Sequence, residues 1–202
     1  MADRPGVGSA RFERAIAAID QANADDPATL LIGGLERPKE QAHAELMTDM
    51  VLLLDPDADE LQLVAARAHH LRRWTVPRSS FPEGRAGYLR WRTGRKKQHA
   101  DDVGTILEEC GYGTVERERV QQIVRKEGLG TDAAVQTHED ALCLVFLRTQ
   151  LADLADQLGH DRIVPVIAKT MTKMSPGAIE RVRSLGLPAD HLALVAEAAT
   201  TV

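Results

Sequence analysis

Apolar residues recur every three or four positions along almost the whole chain, and that period marks helices. Phe12, Ile16 and Ile19 predict a first helix from about residue 9 to 23, ended by Asp25, Asp26 and Pro27. Residues 1–8 lack the pattern and are expected to be loose. Gly33 and Gly34 mark a loop. Pro38 suits the first turn of a second helix, which continues through Leu46, Met47, Met50, Val51 and Leu54. Asp57 and Glu60 have capping-box spacing, so a third helix is expected from there to about residue 74. Pro77 and Pro82 bracket a loop. Further helices are expected over about 87–110, 115–126, 132–158 and 163–174. Ser175 and Pro176 open another, and a short helix ends near residue 199. No segment alternates convincingly at strand period. The expected class is all-α: one helical-bundle domain over residues 9–200, with helices long enough to enclose a central site.

Several polar residues break these apolar faces. In the third helix, Leu61, Val64, Ala68 and Leu71 form the stripe, with His69 and His70 on opposite edges and His69 nearer solvent. In the fourth, His99 stands one turn before Val103 and points with the buried side. In the second, Glu40 and His43 share a face at i, i+3, a spacing that places two ligands on one metal. Glu139 and Asp140 head the wholly apolar run ALCLVFL. Carboxylates there are costly unless paired, protonated or bound to metal. Imidazole with carboxylate suits Mn, Fe, Zn or Ni. A buried hydrogen-bond network, or ion pairs from Glu139 and Asp140 to Arg72 or Arg73, would satisfy the same groups.

Charge sharpens the picture. The chain is acidic, at net −5, yet residues 66–99 hold eight arginines, two lysines and both tryptophans against the single acid Glu83. Such an island suggests a phosphorylated or otherwise anionic ligand, gripped by Arg73, Arg78, Arg92 and Lys96, with Trp74, Tyr88 or Trp91 available to stack. Nucleic acid is a less favoured partner, given the overall negative charge. The opening residues hold no apolar run, and the longest apolar run is too short to span a bilayer. Cys110 and Cys143 lie in apolar helical patterns and are expected to be reduced core residues, which suits the cytoplasm. His160 and Asp161 lie in a helix-ending loop, Gly6-Val7-Gly8 follows no strand, and Ser79-Ser80 has no hydrolase elbow around it.

The blocks ARAHHLRRWTVPRSSFPEGRAGYLRWR, KKQHADDVGTIL, VQTHEDALCLVFL and KTMTKMSP resemble an uncharacterised helical family of unknown function, over about residues 12–174. More distantly, helix order and inward histidines resemble the HD-type metal-dependent phosphohydrolases. That resemblance implies an HD-like helical fold. It implies metal ligands at His43, at the pair His69-His70 and at Asp140, although His70 stands where that superfamily has Asp. The closer family's pattern favours Glu40, His70, His99 and Glu139 or Asp140. The resulting expectation is a metal-dependent phosphohydrolase acting on a nucleotide or small phosphorylated metabolite. Glu139 and Asp140 would be its catalytic carboxylates. The alternative is a metal-free binding protein for an anionic ligand, nucleotide or RNA, using residues 66–99.

Overall fold

The computed structural model describes residues 6–201. The expected loose N-terminus falls mainly on residues 1–5, outside the described residues; the turn at 6–8 lays Val7 against the core. Ten α-helices follow: α1 Ala10–Asn23, α2 Lys39–Leu54, α3 Glu60–Arg67, α4 Gly84–Glu109, α5 Thr114–Val124, α6 Ala133–Thr149, α7 Leu151–Leu158, α8 His160–Met171, α9 Pro176–Arg181 and α10 Ala189–Ala199. The class is all-α, as expected. The helices α2, α3, α5 and α6 pack around an aliphatic core that includes Met47, Leu71, Leu107, Ile123 and Leu144. The helix α8 packs on α10. Both cysteines are buried and free. Among the described residues, no helix is long and apolar enough to cross a membrane.

The expectation of no strand is corrected by a small hairpin, β1 Thr29–Ile32 and β2 Leu35–Pro38. Ile32 pairs with Leu35, so Gly33-Gly34 is a two-residue turn, and both glycines have positive φ. Type I′ turns require that, and glycine supplies it without strain. Pro38 ends the hairpin and sits at the N-cap of α2, one place before the predicted first turn. The buried carboxylate of Asp26 accepts hydrogen bonds from the backbone N–H of Ala28 (3.0 Å) and Glu40 (2.9 Å). This anchors the first turn of α2, and with it Glu40.

Three other helix limits differ from expectation. The capping box of α3 is Asp59 with Gln62, not Asp57 with Glu60. That helix stops at Arg67 rather than near Trp74. The chain tightens into turns at His69, Leu71 and Arg73, each N–H bonding three residues back. Arg72 adopts a left-handed backbone (φ 52°), and its N–H donates to the side chain of Asn23 at 2.9 Å. The Leu71 carbonyl is taken by His99 Nδ1 at 2.7 Å. Partners far away in sequence thus satisfy the groups that a continuing helix would have used, and tertiary context overrides local propensity. The sixth helix is likewise divided, at Gln150. The Thr149 hydroxyl donates back to the Val145 carbonyl at 2.8 Å, a contact that bends helices.

Asn23→Ala strands the Arg72 N–H. It is expected to lower stability by about 1–3 kcal/mol, read as a fall in the urea midpoint at unchanged slope.

Candidate functional site

One helical face contributes more of the site than any other element. Tyr88, Trp91, Arg92, Arg95, Lys96 and His99 fall at i, i+3, i+4, i+7, i+8 and i+11 of α4, so all six look the same way. They line a cavity of about 340 Å³. The turn after α3 adds His69, His70 and Arg73. The end of α5 adds Lys126, α6 adds Glu139 and Cys143, and the segment after α8 adds Lys173. Six cationic side chains therefore face the cavity (Arg73, Arg92, Arg95, Lys96, Lys126, Lys173), against one carboxylate, Glu139. Glu139 is almost wholly buried and pairs with Lys126 Nζ at 2.5 Å and Lys173 Nζ at 3.6 Å. Burial pulls the Lys126 ammonium below its ordinary range, and Glu139 opposes that shift. Lys126 holds this position from a left-handed backbone (φ 56°), an uncommon conformation for a side chain with a Cβ.

Behind this wall lies a second polar group. Glu40 Oε2 stands 3.3 Å from His43 Nδ1 and 3.1 Å from His70 Nδ1, and ligand atoms of all three residues lie within 4.8 Å of one another. His43 Nε2 meets the Thr149 hydroxyl at 3.4 Å. Since that hydroxyl gives its proton to Val145, it accepts from His43. Arg73 Nη1 donates to His70 Nε2 at 2.9 Å, and the Arg73 guanidinium lies over the Trp91 ring, 4.6 Å from its centroid. Trp91 spends its indole N–H on the Val76 carbonyl at 2.8 Å.

The histidines form a continuous cluster. His69 stacks on His70 with centroids 3.8 Å apart, and His69 Nδ1 lies 3.3 Å from His138 Nε2. Burial holds His69 and His70 neutral, well below their ordinary range, with neighbouring positive groups adding to the effect. Burial also lowers His99 to about 4 and His138 to about 3. His99 Nδ1 donates to the Leu71 carbonyl, so its Nε2 carries a lone pair, and that atom has no partner.

The expected site residues divide as follows. Glu40, His43 and His70 come together. His69 and His99 line the cavity but lie outside that group. His69 is the more buried of the His69-His70 pair, the reverse of its expected place near solvent. Asp140 joins neither set. Its carboxylate accepts from Ser175 N (2.8 Å), Ser175 Oγ (2.6 Å) and Gln136 Nε2 (2.9 Å), tying α6 to the start of α9. Arg73, Tyr88, Trp91, Arg92 and Lys96 line the cavity. Trp74 does not. Nor does Arg78, whose guanidinium folds its own loop by donating to the carbonyls of Phe81, Pro82 and Gly84. Four residues were missed: Arg95, Lys126, His138 and Lys173. His138 had a usable signal, since it stands three residues after Val135 on the buried line of α6.

The chain is therefore a helical domain enclosing a small cationic cavity backed by a histidine–carboxylate cluster. Residues 13–195 match the family described as Domain of unknown function (DUF4202), and the chain belongs to that family. No curated protein and no solved structure matches it.

The neutral histidines imply a stability that depends on pH. Unfolded histidine titrates near 6.5, whereas His99 and His138 do so at about 4 and about 3 in the fold. As pH falls below about 6.5 the unfolded chain takes up protons first, so stability present at neutral pH is lost toward pH 4. Between pH 7 and 5 the expected loss is about 2 kcal/mol per histidine. Denaturant titrations of wild type and His138→Phe check this: the variant should show the shallower pH dependence.

Proposed function

We propose that the cavity binds a small phosphorylated metabolite and that a divalent transition metal held by Glu40, His43 and His70 makes the protein a phosphohydrolase. The observation that carries this is the meeting of six cationic side chains with that cluster at His70, which belongs to both. A volume of about 340 Å³ sits at the small end of ligand sites, which favours a metabolite over a nucleic-acid strand. Tetrahedral donors about 2.0–2.1 Å from a metal stand roughly 3.3 Å apart, close to the 3.1 and 3.3 Å found around Glu40. Two imidazoles with one carboxylate suit Mn, Fe, Zn or Ni. When bound, such an ion supplies Lewis acidity and makes water nucleophilic near neutral pH. His43 can present Nδ1 while its Nε2–H donates to Thr149, which fixes the ring. Arg92, Lys96 and Lys173 offer charge to a phosphoryl group, and Glu139 is the carboxylate left in the wall to orient the attacking water.

One observation favours a metal-free binding protein. Arg73 can donate to His70 Nε2 only if that nitrogen holds a lone pair, which places the proton on Nδ1, facing Glu40. The chain Arg73–His70–Glu40 is then a complete hydrogen-bond network. A metal on His70 Nδ1 would move the proton to Nε2 and displace Arg73.

Elemental analysis separates these readings. After incubation with Mn, Fe, Zn and Ni, wild type should retain about one equivalent of metal and hydrolyse p-nitrophenyl phosphate, while His43→Ala retains none and is inactive. Wild type that stays metal-free ends the hydrolase reading and leaves the binding protein. Either way, Arg92→Ala should weaken methyl phosphate binding about tenfold, or 1.4 kcal/mol, by calorimetry. Arg125→Ala, whose guanidinium pairs with Glu127 away from the cavity, should not.

A further inference from the structure

The cavity is not lined evenly. Five of its six cationic side chains come from the turn after α3, from α4 and from the end of α5. Leu142, Phe146, Leu154 and Val166 all come from α6, α7 and α8, and each is only half-buried. Two segments of this second wall repeat one gradient. On α6, Leu142 and Phe146 follow Glu139 at i+3 and i+7. On α8, Val166 precedes Lys173 by the same seven residues. Glu139 and Lys173 pair at 3.6 Å, and one turn further the Cys143 thiol meets the Thr170 carbonyl at 4.0 Å. The two segments therefore run antiparallel with their charged ends level. Seven residues of helix span about 10 Å, and over that length the wall passes from charged to apolar.

The apolar stretch offers a ligand few hydrogen bonds. The Thr170 hydroxyl donates to the Val166 carbonyl at 2.9 Å, and the Cys143 thiol is spent on Thr170. Gln150 adds one amide. A phosphoryl group answers the cations but gains nothing from such a surface. Half-buried apolar side chains are covered favourably only by another apolar group.

We infer that the ligand is an amphiphilic phosphate monoester, with its phosphoryl group at the Lys126–Lys173 end of the cavity and a short hydrocarbon chain along Leu142, Phe146 and Val166. This rests on the phosphate-binding reading of the cavity and narrows it to one ligand class. A volume of about 340 Å³ holds one short chain rather than the two of a bilayer lipid. Leu142, Phe146 and Val166 become specificity-determining residues.

The test titrates four phosphates by calorimetry at pH 8 into full-length protein stripped of metal on a chelating resin, so that no turnover intervenes. They are methyl phosphate, n-butyl phosphate, glycerol 3-phosphate and adenosine 5′-monophosphate. All are dianionic there, above a second pKa of about 6. Each fully buried methylene is worth about fourfold in affinity. With three added methylenes partly covered, n-butyl phosphate should bind wild type about tenfold more tightly than methyl phosphate. Glycerol 3-phosphate, similar in length but polar, should show no such gain. Val166→Thr keeps the side chain's shape and puts a hydroxyl into the apolar wall. In it the preference for n-butyl phosphate should fall to about threefold or less, with methyl phosphate affinity unchanged. Leu154→Gln, on the neighbouring helix, is the second variant and should act in the same direction.

Equal binding of methyl and n-butyl phosphate by wild type overturns the inference and spares the phosphate site. Glycerol 3-phosphate binding as tightly as n-butyl phosphate also overturns it, because length rather than apolarity is then what the wall reads. Tighter binding of adenosine 5′-monophosphate than of n-butyl phosphate overturns it in favour of a base stacked on the half-exposed Tyr88. A preference undiminished in both variants removes the assignment to this wall. No binding of any of the four overturns both the inference and the phosphate-binding reading. If neither variant folds, the three wild-type comparisons still decide.

Discussion

Everything at the site depends on where the third helix stops. Had α3 run on, His69 and His70 would have stayed on helix edges and Arg73 would have pointed elsewhere. Instead Asn23 takes the Arg72 N–H and His99 takes the Leu71 carbonyl, so the chain turns inward after Arg67. The turn lays His70 against Glu40 and His43, His69 against His138, and drops a guanidinium onto Trp91. The same bond that ends the helix sets the His99 tautomer. Backbone satisfaction and site chemistry are one interaction seen from two ends.

The second constraint is electrostatic. Six cationic groups crowd one cavity in a protein whose net charge is −5. Their mutual repulsion is answered from within the wall mainly by Glu139, which pairs with both Lys126 and Lys173. Burial pulls Arg73, Arg95, Lys96 and Lys126 below their ordinary ranges, a sign that this wall would accept more negative charge. The histidines contribute none of the excess, being held neutral. They serve as donors, acceptors or ligands in a field made by others.

Much of this was legible in the sequence. Periodicity and caps placed α1, α2, α4 and α5 within a few residues, because their apolar stripes are long and their ends carry turn residues. The stop of α3 was not legible, since Asn23 and His99, far away in sequence, make it; the break after α6 was not, since apolar periodicity runs through the local Thr149–Val145 bond. The island of residues 66–99 stood out by charge alone, and Arg73, Tyr88, Trp91, Arg92, Arg95 and Lys96 of it do face the cavity. Arg78 does not, because composition cannot tell a ligand-facing guanidinium from one that folds its own loop. Lys126 and Lys173 were invisible for another reason: they reach the wall from distant segments, one of them by a left-handed backbone. Asp140 was drawn in by its neighbour Glu139, yet one step along a helix turns a side chain by about 100°, and Asp140 faces Ser175 instead.

The Arg73–Trp91 contact makes the cavity optically self-reporting. The chain has only two indoles, Trp74 and Trp91. One of them forms part of the wall beneath a guanidinium that also bonds His70. Whatever draws Arg73 toward an anion, or repels it from His70, uncovers that ring and alters its emission. A ligand that moved Arg73 would therefore be followed by the protein's own fluorescence, without a label.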